Sequence, residues 1–136
     1  MNKTMPTLEE RLDRARCLRA KGYNCSQCVY MVFDDIHGFE PETSARISAA
    51  LGGGVGGQHQ ICGTVSAMSL VVGAAKYEEP AQKAALYKDV KNVCADFRSL
   101  NGSVVCAELL ADRPNRKPCL EYILDSITIV DAFLRK

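Results

Sequence analysis

The stretch LGGGVGGQHQICGTVSAMSLVVG, residues 51–73, decides how this chain is read. It is rich in glycine, carries no formal charge, and has one cysteine, Cys62, at its centre. Gly52-Gly53-Gly54-Val55-Gly56-Gly57 satisfies G-x-G-x-x-G, so a phosphate cradle is one reading. That cradle needs a strand before the glycines, a helix after them, and an acidic residue about 20 positions on to hold a ribose. Here the preceding PETSARISAAL reads as helix, and the acids Glu78 and Glu79 follow a helix rather than a strand. No G-K-[ST] follows either. The stronger reading is a glycine bend that lets backbone approach something closely and delivers a thiol to the start of a helix.

The residues from Ile47 to Ala75 carry no formal charge, yet GGGVGGQHQ interrupts them with flexible, polar backbone. The uninterrupted part, Ile61 to Ala75, is shorter than the roughly 20 residues that span a bilayer. A buried central helix accounts for it better than a membrane span. The N-terminal MNKTMPTLEERLDRAR lacks the apolar run of a signal peptide, so a cytoplasmic location is expected. Seventeen Lys and Arg against sixteen Asp and Glu leave +1, which gives no footprint for nucleic acid.

Working outward, apolar residues recur with a period near 3.6 and no segment alternates as a strand would. Thr7-Leu8-Glu9-Glu10 fits a capping box that opens a first helix, closing near Gly22. Asn24 caps a second, which runs to Gly38, and Pro41 starts a third that the glycines stop. Cys62 to about Tyr77 forms the fourth, with small residues suited to close helix contact. Pro80 opens a long fifth helix ending at Asn101-Gly102. Ser103 caps a short sixth, VVCAELL, and Pro118 opens the last. The expectation is one all-α domain over residues 1–136, a compact bundle of about six to seven helices.

Seven cysteines are many for a chain without an export signal, and a reducing compartment does not sustain a disulfide framework. Cys25, Cys62, Cys106 and Cys119 each fall in the first turn of a different inferred helix. Unpaired N–H groups and the positive end of the helix dipole favour a thiolate there. Their separations are not those of a zinc ribbon, so only the fold can bring them together. Cys17 and Cys94 lie inside helices and read as packing residues. Cys25-Ser26-Gln27-Cys28 is a literal C-x-x-C, but Cys28 continues an apolar stripe with Val29 and Val32 and reads as core. No histidine follows it, so the haem signature C-x-x-C-H is absent.

His59, three residues before Cys62, is placed to serve as ligand or base, although a solvent-exposed state is the plainer expectation. His37 reads as a helix C-terminal residue whose charged form the dipole favours. Arg113, Arg116 and Lys117 precede Cys119 and are candidates to stabilise an anionic thiolate, with a solvated loop as the equal alternative.

At these residues the chain resembles the C_GCAxxG_C_C family of redox-active proteins. The stretches NCSQCVYMVF, GGGVGGQHQICGTVSA, GSVVCAELL and PCLEYI carry the resemblance, which spans nearly the whole chain. It places the family cysteines on Cys25, Cys62, Cys106 and Cys119. The family's C-G-A-x-x-G stands here as Cys62-Gly63-Thr64-Val65-Ser66-Ala67, so Thr64 and Ala67 replace smaller residues. The family is similar to the iron–sulfur part of split-Soret cytochromes, which implies an iron–sulfur cluster as a candidate cofactor.

The expected function is that of a redox protein whose four cysteines converge on an iron–sulfur cluster, [2Fe–2S] in the first instance. It would transfer electrons to or from a partner protein, or sense redox state, without a substrate of its own. One alternative is a metal-free dithiol–disulfide relay with Cys62 as nucleophile, reached through the glycine bend. Another is a structural zinc–thiolate site. A helix-bundle surface also leaves room for a homodimer.

Overall fold

The computed structural model describes residues 5–114 and 116–136. Among these residues eight α-helices follow one another: α1 (Leu8–Ala20), α2 (Cys25–Met31), α3 (Asp34–His37), α4 (Pro41–Ala49), α5 (Gly63–Lys76), α6 (Lys83–Asn101), α7 (Cys106–Leu109) and α8 (Cys119–Leu134). A 3-10 turn over Pro80–Gln82 leads into α6. Six of the helices have seven or more residues, and no strand forms among the described residues, so the all-α expectation holds. Among the described residues, no helix is long and apolar enough to cross a membrane.

Local chemistry sets most boundaries. Thr7 and Glu10 form the reciprocal capping box of α1, with Thr7 N–H donating to Glu10 Oε1 at 2.7 Å and Glu10 N–H to Thr7 Oγ1 at 3.1 Å. Asn24 does the same for α2 with Gln27 as partner. Gly38 and Gly102 end α3 and α6 at φ 76° and 85°, the left-handed region that closes a helix cheaply only with glycine.

Three boundaries differ from the sequence expectation. The second helix is not continuous to Gly38 but breaks at Val32 and Phe33 into α2 and α3. The cause is a buried cation. Arg11 Nη1 donates to the Val32 carbonyl at 2.7 Å, and Arg14 Nη2 donates to the Met31 carbonyl at 3.2 Å. These bonds satisfy carbonyls that a continuous helix would have used itself. Ser103 does not cap α7, since the cap position is Val105 and the Ser103 hydroxyl instead accepts from Val105 N–H at 3.0 Å. Pro118 sits at the cap of α8, one residue before the helix proper.

The central helix is α5. It packs against α2, α6 and α8 and buries Val65, Ala67, Met68, Val71 and Val72. Val29, Val32 and Phe33 meet it from α2 and its exit, and Ile123, Ile127 and Val130 from α8. Helix α4 turns Ser44 and Ser48 inward rather than Ile47, which is 40% exposed. Ser26 Oγ donates to the Ser48 carbonyl at 2.7 Å, so this contact is polar and paired.

One residue locks the first helix to the last. Arg11 has a fully buried side chain, lies 4.3 Å from the Phe33 ring centroid, and bonds Asp35 twice, at 2.7 and 2.9 Å. Its Nε donates to Asp131 Oδ1 at 3.1 Å, joining α1 to α8. Burial pushes the Asp131 carboxyl up, but bonds from Arg135 and Arg11 outweigh it and hold the group below the usual range. A carboxylate with a depressed pKa stabilises the fold above the ordinary carboxylate range and loses that contribution as pH falls through its folded pKa. Asp131→Asn should therefore cost about 3 kcal/mol at neutral pH, as breaking a buried pair does. Urea unfolding at stepped pH values checks this: the gap from wild type should close below about pH 4, and a gap independent of pH refutes it.

Candidate functional site

Cys25, Cys62, Cys106 and Cys119 line one cavity of about 170 Å³. Each stands where a helix begins. Cys25, Cys106 and Cys119 are the first residues of α2, α7 and α8, and Cys62 is the residue before α5. All seven cysteines are free.

Cys25 is positioned by Asn24. Besides capping α2, the Asn24 side chain donates to the Ala49 carbonyl at 2.9 Å, which satisfies an end group of α4. Gly52 packs directly on this amide, where a Cβ would lie 2.5 Å from Asn24 Nδ2. One side chain thus joins the first cysteine to the start of the glycine bend.

The bend itself is left-handed. Gly53, Gly54, Val55, Gly56 and Gly57 have φ between 59° and 77°, and His59 has φ 59°. Left-handed backbone costs an L-residue about 1–2 kcal/mol, which explains why four of these five consecutive positions are glycine. Val55 and His59 bear the cost. Gly56 N–H donates to the Ala50 carbonyl at 2.7 Å, and His59 N–H to the Gly53 carbonyl at 2.9 Å, closing the bend on itself.

Past the bend, Ile61 pairs with Val105 in an isolated antiparallel bridge. Cys62 N–H donates to the Val104 carbonyl at 2.8 Å, and Cys106 N–H to the Gln60 carbonyl at 2.6 Å. Side chains alternate across such a pair, so Cys62 and Cys106 share the face opposite Ile61 and Val105. Both thiols therefore turn into the cavity, while Ile61 is 41% exposed. The fourth cysteine arrives with α8, whose Tyr122, three residues on, walls the cavity together with Leu109 and Leu110.

Close packing seats the sulfurs. A Cβ on Gly63 would stand 2.7 Å from Cys25 Sγ and 2.9 Å from the Leu51 carbonyl. Thr64 is fully buried, lines the cavity, and places Oγ1 3.1 Å from Cys62 Sγ. His59 is exposed as expected, with Nδ1 3.4 Å from Cys106 Sγ.

The electrostatics correct the thiolate expectation for two of the four. Burial pushes the Cys62 thiol up; the Thr64 hydroxyl and the N–H dipoles of Thr64 and Val65 pull it down without prevailing. These amides act as dipoles, since they make no capping hydrogen bond to the sulfur. Burial also pushes Cys106 up, and the charges of Cys62, Cys25 and Cys119 add to that. Desolvation and mutual repulsion beat the helix ends. Nor does the bend open a path to Cys62, which is 7% exposed.

The remaining candidates fall elsewhere. Cys28 is fully buried and its thiol is pushed up to about 11, chiefly by burial, so the core reading stands. Cys94 is half-buried against the core, but Cys17 is exposed on α1 and packs no core. His37 ends α3, yet burial lowers its pKa. It stacks on Tyr30 with centroids 4.2 Å apart, so the neutral ring is favoured rather than the charged one. Arg113, Arg116 and Lys117 do not border the cavity. Arg113 donates to the Asn101 carbonyl at 2.8 Å, and Lys117 pairs with Asp125 at 2.9 Å. Among the described residues, the cation that lines the cavity is Arg19 from the last turn of α1, which no local signal marked.

Among the described residues, no three His, Cys, Asp or Glu side chains stand close enough to hold one metal ion. A zinc–sulfur bond of about 2.3 Å puts the sulfurs of a tetrahedral site about 3.8 Å apart. The four donors thus surround a space rather than a point. Their number and softness fit an iron–sulfur cluster, and among the described residues the wall carries no carboxylate.

Comparison with known families returns one match. Residues 23–133 match the model of the family described as "Putative redox-active protein (C_GCAxxG_C_C)". Comparisons with curated proteins and with solved structures return no match.

The packing gives two glycines of α5 opposite roles. Gly63→Ala should lower the melting temperature and displace Cys25, read as faster Cys25 alkylation in peptide maps. Gly73 has nothing within 4 Å of a built Cβ. Gly73→Ala should therefore stabilise by about 0.5–1 kcal/mol, the usual gain for alanine in a helix. Equal effects at the two positions would show that contact with Cys25 does not constrain residue 63.

Proposed function

The chain belongs to the C_GCAxxG_C_C family of redox-active proteins, and we propose that Cys25, Cys62, Cys106 and Cys119 hold an iron–sulfur cluster, [2Fe–2S] in the first instance. The single observation that carries this reading is the convergence of four free cysteines, from four helix starts, on one cavity. When bound, such a cluster supplies reversible one-electron transfer.

The chain's own residues account for the rest. Cys62 and Cys106, whose thiols burial pushes up, would hold such a group as thiolates and give up their protons on binding it. The helix-start amides behind them then offset the remaining negative charge. Leu109, Leu110 and Tyr122 limit water at the sulfurs, and Arg19 leaves a cation at the rim. With no carboxylate in the wall, the site offers electron transfer or redox sensing with a partner protein better than acid–base work on a substrate.

Anaerobic purification, or reconstitution with iron and sulfide, tests the reading. A visible charge-transfer spectrum with equimolar iron and acid-labile sulfide is expected. Serine at any of the four positions should abolish or severely reduce it, whereas Cys94→Ser and Cys17→Ser should leave it. Zinc without colour would replace the cluster by a structural site. Metal-free protein whose thiols oxidise reversibly in fixed pairs would replace it by a relay. Either result overturns the proposal.

A further inference from the structure

The break between α2 and α3 leaves three consecutive carbonyls at a helix end, and each receives a side-chain donor. Arg11 donates to Val32 at 2.7 Å and Arg14 to Met31 at 3.2 Å. The third carbonyl, Tyr30, lies 3.0 Å from His37 Nε2. The two arginines keep their charge at any ordinary pH, whereas histidine changes charge near neutrality. Of these three donors, His37 is the one whose bonding a proton can alter.

Both ring nitrogens are engaged, and their partners fix the hydrogen. A carbonyl only accepts, so Nε2 carries it. On the other side Phe39 N–H donates to Nδ1 at 3.0 Å, so Nδ1 is bare. The neutral ring satisfies both bonds, but a charged ring has a donor at each nitrogen. It keeps the Tyr30 carbonyl and sets Nδ1–H against the Phe39 N–H. The ring itself stays, because a cation over an aromatic face is attracted to it, and Tyr30 stacks on the imidazole with centroids 4.2 Å apart. The Phe39 backbone therefore has to turn away. Gly38 gives it room, at φ 76° and with nothing within 4 Å of a built Cβ.

The charged groups around the ring have partners of their own. On α3, Asp34 pairs with Arg14 at 3.0 Å and Asp35 with Arg11 at 2.7 Å, which accounts for both cations that α1 brings. Burial pushes the Asp34 carboxyl up, but Arg14 outweighs it, so this group stays charged while a histidine titrates. From α2 the ring meets Tyr30, whose phenol burial pushes up and keeps neutral. Helix α5 also packs on α3, and its Lys76 stands over the Phe133 ring at 5.4 Å. Past Gly38, Glu40 accepts from Thr43 Oγ1 at 3.3 Å.

We propose that His37 is a proton-operated latch on the corner between α3 and α4: the neutral ring holds the Phe39 amide, and the charged ring releases it. The opening is confined to residues 38–40, since Gln27 Nε2 on the Ala45 carbonyl at 3.1 Å and Asn24 on the Ala49 carbonyl at 2.9 Å keep α4 tied to α2. Burial lowers the His37 pKa, against the Tyr30 carbonyl, Asp34 and Asp35, which raise it. A histidine with a lowered folded pKa contributes its full stability above the unfolded value, about 6.5, and loses it as pH falls below that. The latch is closed at neutral pH and opens on the acid side.

Nuclear magnetic resonance on the full chain, taken from about pH 7.5 to about pH 5, tests this. Long-range proton–nitrogen correlation of the imidazoles should show His37 with hydrogen on Nε2 and a bare Nδ1 at the upper end. As pH falls, the Phe39 amide signal should move with the same midpoint as the His37 ring. Its hydrogen-exchange protection should drop about fivefold, the worth of one net hydrogen bond, while amides inside α2 and α4 keep theirs. His37→Asn retains an acceptor at the place of Nδ1 and cannot titrate. In that protein Phe39 should lose its response to pH, and the urea midpoint should fall less than in wild type over the same range. The opposite tautomer at neutral pH overturns the proposal, as does a Phe39 amide that ignores the His37 midpoint. An asparagine protein whose Phe39 still responds overturns it too. The wild-type series needs no variant, so it decides the matter even if His37→Asn does not fold.

Discussion

The site depends on two backbone hydrogen bonds, Cys62 N–H to the Val104 carbonyl and Cys106 N–H to the Gln60 carbonyl. They join segments more than forty residues apart in a chain that is otherwise helical. Without them, a cysteine would still stand just before α5 and another at the start of α7, and nothing would aim the two sulfurs at the same space. The alternation of side chains across the pair does that aiming. The glycine bend exists to deliver residue 60 to this pairing, and its left-handed turn at Val55 and His59 costs about 1–2 kcal/mol each. The bonds that close the bend and the pair of bonds beyond it, each worth about 0.5–1.5 kcal/mol net, are of a size to offset that strain.

The rest of the molecule supplies the rigidity that such strain requires. Arg11 fixes the exit of α2 and the end of α8, so the helices that carry Cys25 and Cys119 are held far from the cavity by the same guanidinium. Its four bonds satisfy three nitrogens, which is why a fully buried cation is tolerated. Asn24 then ties the start of α2 to α4 and to Gly52. Between them, these two side chains place Cys25 within contact of the backbone at Gly63, a separation that leaves no room for a Cβ.

Much of this was legible in the sequence, and the reason is locality. Capping boxes, helix-starting prolines and left-handed glycines act within a few residues, so Thr7, Asn24, Pro41 and Gly102 mark their boundaries without help from the fold. Asn24 and Pro118 mark the starts at Cys25 and Cys119 in the same way, whereas Ser103 set the start at Cys106 two residues early; the convergence of the four cysteines was an expectation of the cysteine pattern. Interactions over long separations were not legible. Nothing near Val32 announces that Arg11 will take its carbonyl and break the helix, and nothing near Arg19 ties it to Cys62. The basic residues before Cys119 are a signal of proximity in sequence only, since Lys117 finds Asp125 and Arg113 finds Asn101 first. His37 was misread for a related reason: the helix end favours its charge, but stacking on Tyr30 removes the water that charge needs.

Spacing is what separates the metal readings. Cys62 and Cys106 are diagonal neighbours across an antiparallel pair, a relation that sets their Cα atoms about 7–8 Å apart. Drawing both sulfurs onto one ion, about 3.8 Å apart, would require their side chains to lean together, with Cys25 and Cys119 following from two further helices. The Gly63 backbone already confines Cys25, and Thr64 already holds Cys62. A [2Fe–2S] cluster would ask for less movement, because its two irons would divide the four sulfurs between them instead of gathering all four on one ion. The same confinement works against a relay, in which two sulfurs must close to bond length and part again at each turnover. On the proposed reading, the strain spent on the bend fixes Cys62 and Cys106 in the wall that Cys25 and Cys119 share, which is the arrangement that a rigid electron carrier needs and that a thiol exchanging partners does not.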